Sequence, residues 1–126
     1  MATVTMENFI KELQEQYKSL VHELSPIEFI ATHYGYSSQS RQLIEEMAEL
    51  MVAINKYDRA DKSDVITARE YLNVEHLLEN IYEELADVEI MVEQIKYLLR
   101  CNEEVDQIKE RKIKRQLDRI SRENER

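Results

Sequence analysis

The chain has one glycine, one proline, one cysteine and no tryptophan in 126 residues. So few helix breakers and turn formers argue against hairpins and tight turns and for long unbroken helices. The lone thiol, Cys101, rules out a disulfide framework. His22, His33 and His76 show no paired spacing, so with a single cysteine a zinc site has too few ligands. No apolar run approaches the ~20 residues that span a bilayer, and the first residues lack a leader pattern. The expectation is one cytoplasmic domain over residues 1–126, with no membrane partner.

Charge is abundant and uneven. There are 26 Asp and Glu against 17 Lys and Arg, a net charge of −9. Residues 109–126 run the other way, with eight basic against four acidic residues. Residues 1–108 therefore hold nine basic and 22 acidic residues. A body this acidic repels polyanions, which argues against nucleic acid as a partner, and it attracts cations.

Apolar residues recur at helical spacing almost throughout. An N-terminal helix within residues 1–24 carries Met6, Phe9, Ile10, Leu13, Tyr17, Leu20, Val21 and Leu24, with Thr5 as its expected N-cap. In "SPIEFIATHYG" (25–35), Ser25 and Glu28 have capping-box spacing, Pro26 suits a first turn and Gly35 suits a C-terminal position needing positive φ. "SSQS" (37–40) opens a helix to about residue 57 that carries Leu43, Ile44, Met47, Leu50, Met51 and Ile54. "DRADKSD" (58–64) reads as a polar loop and 65–72 as a short helix, after which Asn73 caps a long helix to about residue 101. A basic C-terminal helix occupies 103–126 with a thin stripe of Val105, Ile108, Ile113, Leu117 and Ile120. No strand pattern or internal repeat stands out. The fold expected is an all-α bundle of four to five helices. Its apolar stripes exceed what a short chain can cover alone, so a homo-oligomer is expected, a dimer being the commonest form.

One residue conflicts with this pattern. In "IYEELADVEIMVEQI" (81–95), Glu84 falls on the apolar stripe among Leu77, Val88, Met91 and Ile95, with Asp87 at its edge. An unpartnered carboxylate on a buried face is costly. The helix of residues 39–57 offers a second pair at the same i, i+3 spacing, Glu46 and Glu49, at the margin of its own stripe. If the two helices pack antiparallel, four carboxylates converge and a cation must neutralise them. All-oxygen ligands select a hard ion, Mg²⁺ or Mn²⁺. The spacing alone is weak, since Glu12–Glu15 and Glu103–Asp106 share it. A solvated helix face, or a buried ion pair at Glu84, explains the same acids.

"LIEEMAEL" (43–50) and "IYEELADVEIMVEQI" (81–95) resemble the two halves of the EExxE … ExxD signature of MazG-like nucleotide pyrophosphohydrolases, in the all-α NTP pyrophosphatase superfamily. The resemblance covers about residues 36–120 and implies an Mg²⁺ site between two acidic helices. It makes Glu46, Glu49, Glu84 and Asp87 the metal ligands and Glu45 a water-activating base or further ligand. "KERKIKRQLDR" (109–119) resembles the basic segment of short members, with Lys112, Arg115 and Arg119 as phosphate contacts. The stretch between Glu49 and Glu84 is longer than in compact members, which leaves residues 58–73 without an assigned role. Tyr34 and Tyr36, with His33, precede the first acidic helix and offer rings for a nucleobase.

The implied reaction is Mg²⁺-dependent hydrolysis of a nucleoside triphosphate to the monophosphate and pyrophosphate, by in-line attack of water. It would serve nucleotide house-cleaning or pool control. The resemblance also implies a homodimer or dimer of dimers. Two alternatives stay open: a related phosphohydrolase acting on phosphoribosyl-ATP or a nucleoside diphosphate, and a non-catalytic helical oligomerisation module.

Overall fold

The structure, a computed structural model, describes residues 2–60 and 67–125. Among these there are five helices and no strand: α1 (Ala2–Glu23), α2 (Pro26–Tyr34), α3 (Tyr36–Arg59), α4 (Ala68–Leu98) and α5 (Asn102–Asn124). No described helix is long and apolar enough to cross a membrane.

Local signals set most boundaries. Ser25 Oγ accepts from the Glu28 N–H at 3.2 Å, and Pro26 opens α2. Gly35 ends α2 at φ +83°, its N–H donating to the Ala31 carbonyl at 2.8 Å. That left-handed value favours glycine, and α3 starts at the next residue instead of at 37–40. Two expected caps are corrected. Thr5 lies inside α1, which starts at Ala2. Asn73 lies inside α4, which starts five residues before the expected cap. The cap is Thr67, whose Oγ1 accepts from the Glu70 N–H at 3.2 Å while its N–H donates to Glu70 Oε2 at 3.3 Å. This reciprocal box satisfies two amides, where an isolated Asn satisfies one. Residues 68–72 thus belong to α4 and not to a separate short helix. Of the expected polar loop, Asp58 and Arg59 end α3, and residues 61–66 lie outside the described residues.

The core is the antiparallel pair α3–α4. Gln39 near the start of α3 meets Gln94 near the end of α4, and Lys56 lies across from Asn80. The less exposed positions of α3 include Gln39, Leu43, Glu46, Leu50, Ala53 and Tyr57. Those of α4 include Leu77, Ile81, Glu84, Val88, Met91, Ile95 and Leu98. Both sets advance by threes and fours, the spacing that keeps a seam facing one partner helix. The short α2 packs on α4 and α3 and buries Ala31.

The other apolar stripes remain on the surface. On α1, Met6, Phe9, Leu13 and Tyr17 are exposed. On α3, Ile44, Met47, Met51 and Ile54 form a second seam facing away from the core, with Ile44 63% and Met51 61% exposed. The α4–α5 turn passes through Arg100 at φ +54°, closed by the Cys101 N–H on the Lys96 carbonyl at 3.0 Å. Beyond Val105, α5 is exposed to Glu125. The chain's surface totals 10,853 Å² for 15.1 kDa. A compact monomer of that mass exposes about 7,100 Å².

Candidate metal centre

Among the polar side chains of the seam, four stand in two contrasting pairs. Two are amides that answer each other: Gln39 Nε2 donates to Gln94 Oε1 at 2.7 Å, and both residues are buried. The other two are carboxylates, and they do not. Glu46 and Glu84 are half-buried, and Oε2 of each is fully shielded from solvent without a hydrogen-bond partner. They reach the seam for the reason the amides do: each continues the three–four spacing of its helix.

Glu46, Glu84 and Asp87 bring one carboxylate oxygen apiece within 4.8 Å of one another. Gln42, one turn before Glu46, donates to Glu46 Oε1 at 2.7 Å and fixes that carboxylate while Oε2 stays free. Glu84 is held above the ordinary glutamate value of 4.5 by loss of solvation, then by the charges of Glu49, Asp87 and Glu46, and by a hydrogen bond to Glu49 that favours its neutral form. Each cause penalises a negative charge at Glu84, and a cation bound among these oxygens would reverse the charge terms. The residues therefore fit a hard divalent ion: oxygen ligands only, two of them unpaired and shielded, on two rigid helices.

Of the four acids expected to converge, three form this cluster. Glu49 is exposed, one turn further along α3, and meets Glu84 from the side. Glu45 is exposed next to Glu46 and outside the cluster. Lys112, Arg115 and Arg119 are exposed on α5. Lys112 and Arg115 line a groove with Ile108 and Arg111, all four on α5, so within one chain they are not brought to the carboxylates. Tyr34 and Tyr36 flank Gly35, with Tyr34 in edge-to-face contact with His33 at 4.8 Å. Both are exposed, and Tyr36 stands ten residues before Glu46, about 15 Å along the helix.

Set against protein-family models, curated proteins and solved structures, the chain matches none.

Three residues beside the cluster were not anticipated from the sequence: Gln42, Lys56 and Asn80. Gln42 precedes Glu46 by four residues, and Asn80 precedes Glu84 by four. Lys56 follows Glu49 by seven, two turns along the same face. Helical spacing puts each on the face of its acid, but only the packing of α3 on α4 brings Lys56 and Asn80 to one cleft.

Proposed function

We propose that this chain is an Mg²⁺-dependent nucleoside triphosphate pyrophosphohydrolase of the MazG-like kind, working as a homodimer or a dimer of dimers. The observation that carries the reading is the pair of shielded, unpartnered oxygens on Glu46 and Glu84, two residues that Asp87 joins in a three-carboxylate cluster. A solubilising acidic face would leave these oxygens in water, and a structural ion pair would supply a basic partner. Neither is found among the described residues. The order of the acidic segments, "LIEEMAEL" before "IYEELADVEIMVEQI", supports the choice of family.

In this reading Glu46, Glu84 and Asp87 hold the metal, with Glu49 joining from the side once substrate phosphates are present. Mn²⁺ would serve in place of Mg²⁺. When bound, the ion supplies charge neutralisation and Lewis acidity toward phosphate oxygens. Gln42 keeps Glu46 in position. Glu45, exposed beside the cluster, accepts a proton from the attacking water. The new bond forms between that water oxygen and the α-phosphorus, and the bond from the α-phosphorus to the bridging oxygen breaks, releasing pyrophosphate. Lys112, Arg115 and Arg119 would reach the phosphates from the α5 of a neighbouring copy. The exposed rings of Tyr34 and Tyr36 are the aromatic surface available to a base.

The test is a screen of nucleoside triphosphates with Mg²⁺ that separates pyrophosphate from orthophosphate. Pyrophosphate release that stops with EDTA and in Asp87→Asn is the expected result. Full turnover by Asp87→Asn, or orthophosphate as the sole inorganic product, would overturn the assignment.

A further inference from the structure

Next to the three-acid cluster, a cleft of about 380 Å³ opens along the α3–α4 seam. Glu49 and Glu84 stand at the end nearer the cluster. Lys56 and Asn80 stand at the other end, with Val52 and Ala53 as small apolar walls between and Ala48 beside Glu49. Glu49 and Lys56 are seven residues apart, so their backbones are separated by about 10.5 Å along one helix face.

Lys56 is the one cation lining this cleft. It makes no ion pair with any described residue, although the chain carries 26 acids and a net charge of −9. The ammonium is a compact charge on a flexible four-carbon stem, able to swing back over the cleft toward the carboxylates. Asn80 adds a neutral amide donor on the facing helix. The cleft therefore has metal-binding oxygens at one end and an uncommitted cation with an amide at the other. A neutral nucleobase has no use for that cation. An anion extending away from a bound metal has.

We propose that the cleft of Glu49, Lys56 and Asn80 holds the pyrophosphate end of the substrate, with Lys56 as its cationic contact inside the same chain. This rests on the pyrophosphohydrolase reading above and gives it a polarity. The leaving group points along the seam toward the last turn of α3, and the nucleoside extends to the opposite side of the acidic cluster. The arrangement also makes binding ordered. Glu49 and Glu84 repel a free polyphosphate, so the anion enters only once the metal is in place.

The test uses the full chain and two probes in sequence. Mn²⁺ affinity is measured first, by titration calorimetry or electron paramagnetic resonance, on wild type, Lys56→Ala, Lys56→Arg and Asn80→Ala. Lys56 is exposed on a helix, and alanine is the best helix former, so these variants keep the fold. Inorganic pyrophosphate and a nucleoside monophosphate are then titrated at saturating Mn²⁺. The expected result is unchanged Mn²⁺ affinity throughout. Pyrophosphate binding should weaken at least about tenfold in Lys56→Ala, as for loss of a charge-assisted hydrogen bond, recover in Lys56→Arg, and fall less in Asn80→Ala. Monophosphate binding should be unmoved. Equal pyrophosphate affinity in wild type and Lys56→Ala overturns the proposal, as does a loss confined to the monophosphate, which would put the nucleoside in the cleft. Mn²⁺ binding without Lys56-dependent pyrophosphate binding overturns this assignment alone. Failure to bind Mn²⁺ removes the metal reading and this one with it. Absence of turnover, with Lys56-dependent pyrophosphate binding intact, removes the catalytic reading and leaves the anion cleft standing.

Discussion

The exposed seam of α3 gives the most direct test of self-association. The chain shows 10,853 Å² of surface where a compact monomer of its mass shows about 7,100 Å². The excess, about 3,700 Å² per chain, is several times the ~800 Å² per partner of a standard interface and reaches the range of obligate assemblies. Ile44, Met47, Met51 and Ile54 keep the three–four spacing of a packed seam yet are exposed. We expect them to be covered by a second copy. Replacing Ile44 and Met51 by Glu attacks the two most exposed members. In a symmetric dimer each change occurs twice, so four apolar side chains are lost from the interface. At roughly 1.5–3 kcal/mol for burying each one, the penalty is about 6–12 kcal/mol. At about 1.4 kcal/mol per decade, that weakens dimer affinity by at least ~10⁴-fold before any repulsion between the new charges. Sedimentation velocity from nanomolar to tens of micromolar decides it. Wild type should sediment as a dimer or larger and the double variant as a monomer, with circular dichroism reporting whether α3 stays helical. A wild-type monomer at micromolar concentration, or a double variant that associates unchanged, refutes the reasoning. The three-acid cluster, which lies within one chain, would be untouched by that outcome.

Three further predictions concern the core. Glu84→Gln should abolish turnover, because it removes one ligand charge, yet raise the thermal midpoint of the metal-free protein, because it removes a carboxylate from an acidic, desolvated cluster; calorimetry with and without Mg²⁺ checks both halves. Glu84 binds its proton more tightly folded than unfolded, so metal-free stability should fall as pH rises from the ordinary value of 4.5 through its raised value and then level off; saturating Mg²⁺ should suppress that fall, and denaturant melts across the acidic range measure it. Gln94→Leu should cost about 1–3 kcal/mol by stranding the buried Gln39 amide, whereas Gln39→Leu with Gln94→Leu should recover much of the loss in urea unfolding.

The sequence carries different parts of this structure to different depths. Helices were legible because one Gly, one Pro and sustained apolar spacing leave little alternative, and Ser25, Pro26 and Gly35 mark α2 residue by residue. The start of α4 was misread because Asn73 is a good cap in isolation. The choice of Thr67 depends on Glu70 folding back onto its N–H, a pairing that spacing permits but does not require. The inward placement of Glu84 followed from its position among Leu77, Val88 and Met91, since a rigid helix leaves the side chain no other face. Glu49 was harder. It is equally spaced from Glu46, but the seam passes between them, so one is half-buried and the other exposed. Which side of a stripe edge faces the neighbour depends on how the helices are rotated against each other, and periodicity in one helix does not contain that angle. Lys56 and Asn80 stayed hidden for the same reason: a cleft belongs to two helices at once.

The seam itself contains the comparison that makes the acidic layer informative. Gln39 and Glu46 are seven residues apart on α3, two turns or about 10.5 Å, and both occupy positions that face α4. At the first layer a polar residue is met by its complement on α4, and Gln39 Nε2 donates to Gln94 Oε1 at 2.7 Å. At the second layer acids are met by acids. Glu46 faces Glu84 and Asp87, and an ionised carboxylate only accepts hydrogen bonds, so neither glutamate can satisfy the other. A helix pair selected only for stability would treat both layers alike, with amides or with leucine. The departure is confined to one layer, it leaves two oxygens without donors, and it raises the proton affinity of Glu84. In the metal-dependent function proposed above, one divalent ion would remove each of those consequences. The stability lost in the metal-free chain would then be returned as metal affinity, through the same carboxylates whose mutual repulsion caused the loss.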